Sequence, residues 1–157
     1  AGARAARVYV ARGPDGLETV KAGSLNAESL ALAGGESVAS GPGGGVARVS
    51  FEQVAAWAPD VVLTQDAGFF ASAPQHDLWR RLLALRAGRL HLVPRLPFGW
   101  LDEPPGVNRL VGLPWLAARL HGAAAGSDEA GRVRAFHLAF YGFAPERAGF
   151  ERLLAGA

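Results

Sequence analysis

The sequence predicts an α/β fold, a small parallel or mixed sheet flanked by helices, in a single domain. Three observations lead there. Short β-rich runs alternate with segments whose apolar residues recur at helical spacing across the first hundred residues. The chain has 157 residues, 50% hydrophobic and 19% charged, enough to bury a real core and too apolar for disorder. No internal repeat and no long linker divides it.

The elements follow in order. Residues 7–11 (RVYVA) give the first strand, which stops at RGPDG, residues 12–16, a strong turn sequence. Ser24 can cap a helix over 24–33, ended by Gly34 and Gly35. The glycine run at 41–45 (GPGGG) leads into a short β run at 46–49. Ser50, with Gln53 three residues on, is a capping-box pattern. Phe51, Val54, Ala55 and Ala58 then make an apolar stripe, and Pro59 closes that helix. Residues 60–64 (DVVLT) read as a buried strand followed by a loop.

In the second half, an amphipathic helix is expected over 77–85 with Leu78, Leu82 and Leu85 inward, then a strand over 90–93. A further helix should run from about Gly106 to Leu120, and Pro114 should kink or split it by removing an amide donor. A helix over 127–141 puts Val133, Phe136, His137 and Phe140 on one face. Pro145 can start a last helix ending near Leu154.

Composition narrows the function. There is no cysteine, so disulfides and thiolate metal sites are excluded. The net charge is +2, with basic and acidic residues interspersed and no basic run carrying aromatics, which argues against a nucleic-acid partner. The longest apolar stretches are far short of a membrane span. The opening AGARAARVYV has neither an initiator Met nor a signal-type apolar core, so the chain is expected to be part of a longer protein.

Chemistry-bearing patterns are sparse. GPGGG reads as a surface turn. A phosphate loop would need its glycines directly after a strand with their amides at a helix N-terminus, and the Walker lysine and hydroxyl are absent. That loop is nevertheless the basis of a rival reading, a small Rossmann-like nucleotide-binding enzyme. His76, His91, His121 and His137 share no metal-ligand spacing, and no Gly-x-Ser-x-Gly elbow occurs. Catalysis therefore has little support. Glu52 lies about 100° around the helix from Phe51, off the buried stripe and in the first turn, where a carboxylate is stabilised. It is either an ordinary solvated acid or a contact residue. The segment PRLPFGWLDEPPGVNR, residues 94–109, sets Phe98 and Trp100 in a proline-stiffened loop after a strand, where ligands of open α/β sheets bind. The two rings either plug the core or face a ligand.

Taken in order, several stretches carry a resemblance: VYVARGPDGLETVKAGSLNAESLALAGGESVA, VSFEQVAAWAPDVVLT, LWRRLLALRAGRLHLVPRLPFGW and PPGVNRLVGLPWLA. From Arg7 to about Leu154 the chain resembles the C-terminal lobe of the periplasmic binding proteins that serve ABC importers of iron–siderophore, haem, cobalamin and related metal complexes, the helical-backbone class. The resemblance implies an extracytoplasmic, monomeric, non-enzymatic lobe whose N-terminal counterpart lies outside this chain, as would any lipid anchor. It implies that Glu52 docks arginines of the membrane permease. It also implies that cargo meets the loops at 12–19, after Thr64, and at 98–109. The ligand-binding candidates are then Arg12, Glu18, Arg95, Phe98, Trp100, Asn108 and Arg109, with the aromatics stacking on a chelator and the arginines neutralising an anionic complex. The expected cargo is an iron–siderophore, whose chelator supplies the metal ligands, so no cofactor or protein metal site is expected. Haem is disfavoured, because Tyr9 lies within a strand and His76 follows a proline-containing loop; cobalamin or an oxyanion such as molybdate stays open.

Overall fold

A computed structural model describes residues 4–41, 43–102, 104, 106–122, 128–144, 146 and 149. The chain divides into two compact units, residues 1–93 and 94–157.

The first unit is built on a four-stranded, all-parallel sheet. Its strands are β1 (Ala6–Ala11), β3 (Gly35–Ser37), β5 (Val61–Thr64) and β6 (Leu90–Leu92), in the order β3-β1-β5-β6. β5 is buried at all four positions, as a central parallel strand covered on both faces must be. Two further strands, β2 (Glu18–Val20) and β4 (Val46–Arg48), pair antiparallel as a separate ribbon. A 3-10 turn over Leu25–Ala27 runs into the five-residue helix α1 (Glu28–Leu32). Ser24 does not cap it through its side chain. Its hydroxyl donates to the Lys21 carbonyl at 2.7 Å, so that expectation is corrected.

Helix α2 (Phe51–Trp57) starts on the expected capping box. The Ser50 hydroxyl accepts the Gln53 amide at 3.3 Å while the Gln53 side chain accepts the Ser50 amide at 2.8 Å. Ala58 ends the helix in left-handed backbone, φ 44°, directly before Pro59. The loop expected after Thr64 contains a helix, α3 (Ala67–Ser72), capped by the Asp66 carboxylate on the Phe69 amide at 2.7 Å.

The helix expected over 77–85 is also corrected. Instead a 3-10 turn (Trp79–Arg81) gives way to α4 (Leu83–Arg86), with Leu82 extended between them at ψ 135°. That break resets the helical phase. Leu78 turns outward, Leu82 stays buried, and Trp79 becomes the core residue. Its ring meets Phe69 edge-on at 4.9 Å and Phe51 at 5.4 Å, on the sheet face that also carries Tyr9 and Val62.

The second unit carries α5 (Arg109–His121) and α6 (Glu129–Tyr141). Pro114 lies inside α5 and does not split it. On α6, Val133, Phe136 and His137 are buried as expected, whereas Phe140 is exposed. The Asp128 carboxylate caps α6 through the Gly131 amide at 2.8 Å. Ser127 and the expected last helix from Pro145 to Leu154 lie outside the described residues, positions 146 and 149 excepted.

Candidate functional site

The parallel register brings Ala11, Thr64 and Leu92 level with one another, so β1, β5 and β6 end along one edge of the sheet. Loops that follow such strand ends are the usual ligand sites of open α/β sheets. At this edge the chain after β1 makes the turn 12–16 and returns as β2, and Arg12 and Glu18 face each other across it. The Arg12 amide donates to the Glu18 carbonyl at 2.8 Å, and the Glu18 amide to Arg12 at 3.3 Å. The buried Tyr9 hydroxyl donates to the Gly16 carbonyl at 2.8 Å and pins the turn. Burial, and then the charge of Asp15, raise the Tyr9 phenol well above its ordinary value, so it remains a donor. Gly16 has φ 71°, and a Cβ there would lie 2.2 Å from the Phe69 ring. Only glycine fits.

Glu18 has a structural partner. Its cross-strand neighbour Arg48 also pairs with Asp15, and Arg48 Nη1 stands 3.9 Å from Glu18 Oε1. The Leu17 amide, and next the Arg48 guanidinium, hold the Asp15 carboxyl below its usual range.

Glu52 is exposed in the first turn of α2. The chain enters α2 through Val49, whose amide donates to the Leu17 carbonyl at 2.9 Å, so the N-terminus of α2 lies close to the chain that follows the 12–16 turn. Its own amide, and next the Ser50 hydroxyl, keep the Glu52 carboxyl below its ordinary value and therefore ionised. At neutral pH a surface charge thus stands near the 12–16 turn.

The loop at 94–101 belongs to the second unit, and here the sequence expectation divides. Arg95 and Phe98 are exposed, Phe98 at 55%. Trp100 is fully buried, so the expected pair of ligand-facing rings is corrected. The indole N–H of Trp100 donates to the Leu96 carbonyl at 3.1 Å, its amide donates to Pro94 at 3.1 Å, and its ring meets Trp115 edge-on at 6.5 Å. Gly112 of α5 lies directly beneath: a Cβ there would fall 2.0 Å from the Trp100 carbonyl oxygen. Asn108 is likewise corrected, from a ligand contact to an internal strut. It is 2% exposed, donates Nδ2–H to the Phe98 carbonyl at 2.9 Å, and accepts the Tyr141 hydroxyl on Oδ1 at 2.6 Å. Arg109 is partly exposed, and its Nε–H donates to the Leu101 carbonyl at 2.8 Å. The Leu96–Pro97 peptide is cis. Tyr141 and Gly112 were not legible as site residues; a tyrosine ending a helix and a glycine inside one carry no signal by themselves.

The glycine run does not form a phosphate cradle. It follows β3, an edge strand, and leads from Gly45 into β4, so among the described residues no helix N-terminus stands behind its amides.

Asp60 ties the starts of β1 and β5 together. Its Oδ2 accepts the Arg7 amide and the Arg4 guanidinium, each at 2.9 Å. Burial pushes this carboxyl up, but the Arg7 and Arg4 bonds outweigh it and the value lies below the usual one. A folded value below the unfolded one means that the stabilisation is present above about pH 4 and is lost as the pH falls through the folded value. Asp15 carries the same sign. Urea midpoints are therefore expected to drop on acidification from about pH 5 to pH 3, and Asp60→Asn to flatten that fall. At neutral pH the substitution costs about 1 kcal/mol, after discount for a carboxylate that is a third exposed.

Among the described residues no helix is long and apolar enough to cross a membrane. No family model and no curated protein matches the chain. Solved structures do. An ABC transporter solute-binding protein from Sulfurospirillum deleyianum is 32% identical at a TM-score of 0.88, over 95% of this chain and 47% of its own. A periplasmic solute-binding protein from Veillonella parvula, 19% identical at a TM-score of 0.83, is covered for 48% of its length by 99% of this chain. The molybdate periplasmic binding protein of a Haemophilus influenzae ABC transporter, solved with molybdate, is 27% identical at a TM-score of 0.71, over 91% of this chain and 44% of its own. The chain spans about half the length of these neighbours. Its parallel four-stranded sheet flanked by helices matches the lobes of ABC-transporter solute-binding proteins.

Proposed function

We propose that this chain is one lobe of the substrate-binding component of an ABC importer, acting outside the cytoplasm and handing an anionic metal complex to a membrane permease. It catalyses no reaction. The observation that carries the reading is the likeness to the Sulfurospirillum deleyianum solute-binding protein across 95% of the chain. The ionised Glu52 near the 12–16 turn supports a docking role toward basic residues of the permease. Arg12, Arg95 and the exposed Phe98 are the cargo-facing candidates, guanidinium groups for an anion and a ring for a chelator.

An iron–siderophore uses both features. A second reading, a tetrahedral oxyanion, is favoured by the molybdate-bound neighbour, and burial of Trp100 moves weight from aromatic stacking to arginine. Calorimetric titration of the intact protein with a ferric tris-catecholate, cyanocobalamin and sodium molybdate separates them. Saturable binding of the ferric complex is the expected result, and saturation by molybdate alone selects the oxyanion. Saturation by ATP with none of the three overturns the transport reading.

A further inference from the structure

Two residues outside the 94–101 loop form a chain of hydrogen bonds that ends on it. Tyr141, the last residue of α6, donates its hydroxyl to Asn108 Oδ1 at 2.6 Å across 33 residues of sequence. Asn108, immediately before α5, donates Nδ2–H to the Phe98 carbonyl at 2.9 Å. The loop's other end is held by Trp100, whose amide and indole N–H both donate back into it. The ring of Phe98 therefore stands outward from a backbone that is gripped on the inside.

The order of these bonds matters. A primary amide has one accepting and one donating end, and a rotation of half a turn exchanges them. The Phe98 carbonyl can only accept, so the amide's NH2 faces it, and the Tyr141 O–H then donates to Oδ1 at the other end. Without that hydroxyl the burial is unchanged, but Oδ1 loses its Tyr141 donor and the amide is braced from the Phe98 end alone. In the flipped state two acceptors, Oδ1 and the Phe98 carbonyl, would confront each other, which a buried site does not tolerate.

We propose that Tyr141 and Asn108 are positioning residues for the cargo loop: the Tyr141 hydroxyl braces the Asn108 amide, and the amide holds the Phe98 carbonyl so that the Phe98 ring is presented at a fixed place. The inference rests on the reading of 94–101 as cargo-facing. Neither residue touches cargo; both act through Phe98.

The test compares Tyr141→Phe, which removes one oxygen, with Phe98→Ala, which removes the exposed ring. In the intact protein, Tyr141→Phe is expected to speed hydrogen exchange of the Trp100 amide by about tenfold while the amides in the middle of α5 keep their protection. It should also weaken binding of the ferric tris-catecholate or of molybdate, whichever the wild type takes, by about three- to tenfold. Phe98→Ala should weaken the same binding and leave Trp100 exchange unchanged. Unchanged Trp100 exchange in Tyr141→Phe, or an even rise along α5 and α6, overturns the positioning role whatever the cargo is. Faster exchange with wild-type affinity in both variants overturns instead the reading of the loop as cargo-facing.

Discussion

Trp100→Ala is expected to destabilise the protein by about 3–5 kcal/mol, read as a lower urea midpoint. Trp100 is wholly enclosed, and the substitution deletes its contact with Trp115 and its indole bond to Leu96 together. The surroundings cannot close the gap easily, because Gly112 already brings α5 against the Trp100 backbone. The converse change, Gly112→Ala, forces the helix off that carbonyl and costs about 1–3 kcal/mol as overpacking. A ligand-stacking tryptophan on the surface would behave differently. Its loss would cost little stability and much affinity, so a near-normal midpoint for Trp100→Ala would refute its place in the core.

Glu52→Arg is expected to abolish permease-dependent uptake while leaving cargo affinity within about twofold. The carboxylate is exposed and ionised, and among the described residues its hydrogen bonds stay within its own first turn. Reversing its charge puts a cation at a helix N-terminus, a small penalty at a fully solvated position that leaves the protein folded. Against a basic docking surface the same reversal turns attraction into repulsion and slows encounter as well as loosening the complex. Glu52→Gln, which removes charge without reversing it, should fall between wild type and Glu52→Arg. Uptake at the wild-type rate in Glu52→Arg would leave Glu52 an ordinary solvated acid.

The parts of the fold written in local chemistry could be read directly. Strands β1, β5 and β6 are short β-rich runs, and Ser50 with Gln53 specifies the start of α2 within four residues. Other elements exist only through their neighbours. GES at β3 and ETV at β2 hold no pattern of their own; β3 becomes a strand beside β1, and β2 beside β4. Around 77–85 the apolar spacing suits a continuous helix, but Leu82 adopts an extended backbone and Trp79 takes the buried place. The site shows the same division. Exposure of Glu52 followed from its place on the wheel. The orientation of two aromatics in one loop did not, because a tryptophan ring with a nearby carbonyl suits a core as well as a ligand.

Helix α5 carries Pro114 in its sixth position. A proline there leaves the Leu110 carbonyl without its usual amide donor, and Leu110 is 57% exposed, so water is at hand to take the amide's place. The opposite flank, with Val111, Trp115, Leu116 and Leu120, is buried. The helix thus owes its persistence to what it lies against rather than to its own residues. Cut out as a thirteen-residue peptide, this segment would have neither the length nor an unbroken ladder to stay coiled. The α5 segment is therefore a helix that only the folded protein can sustain.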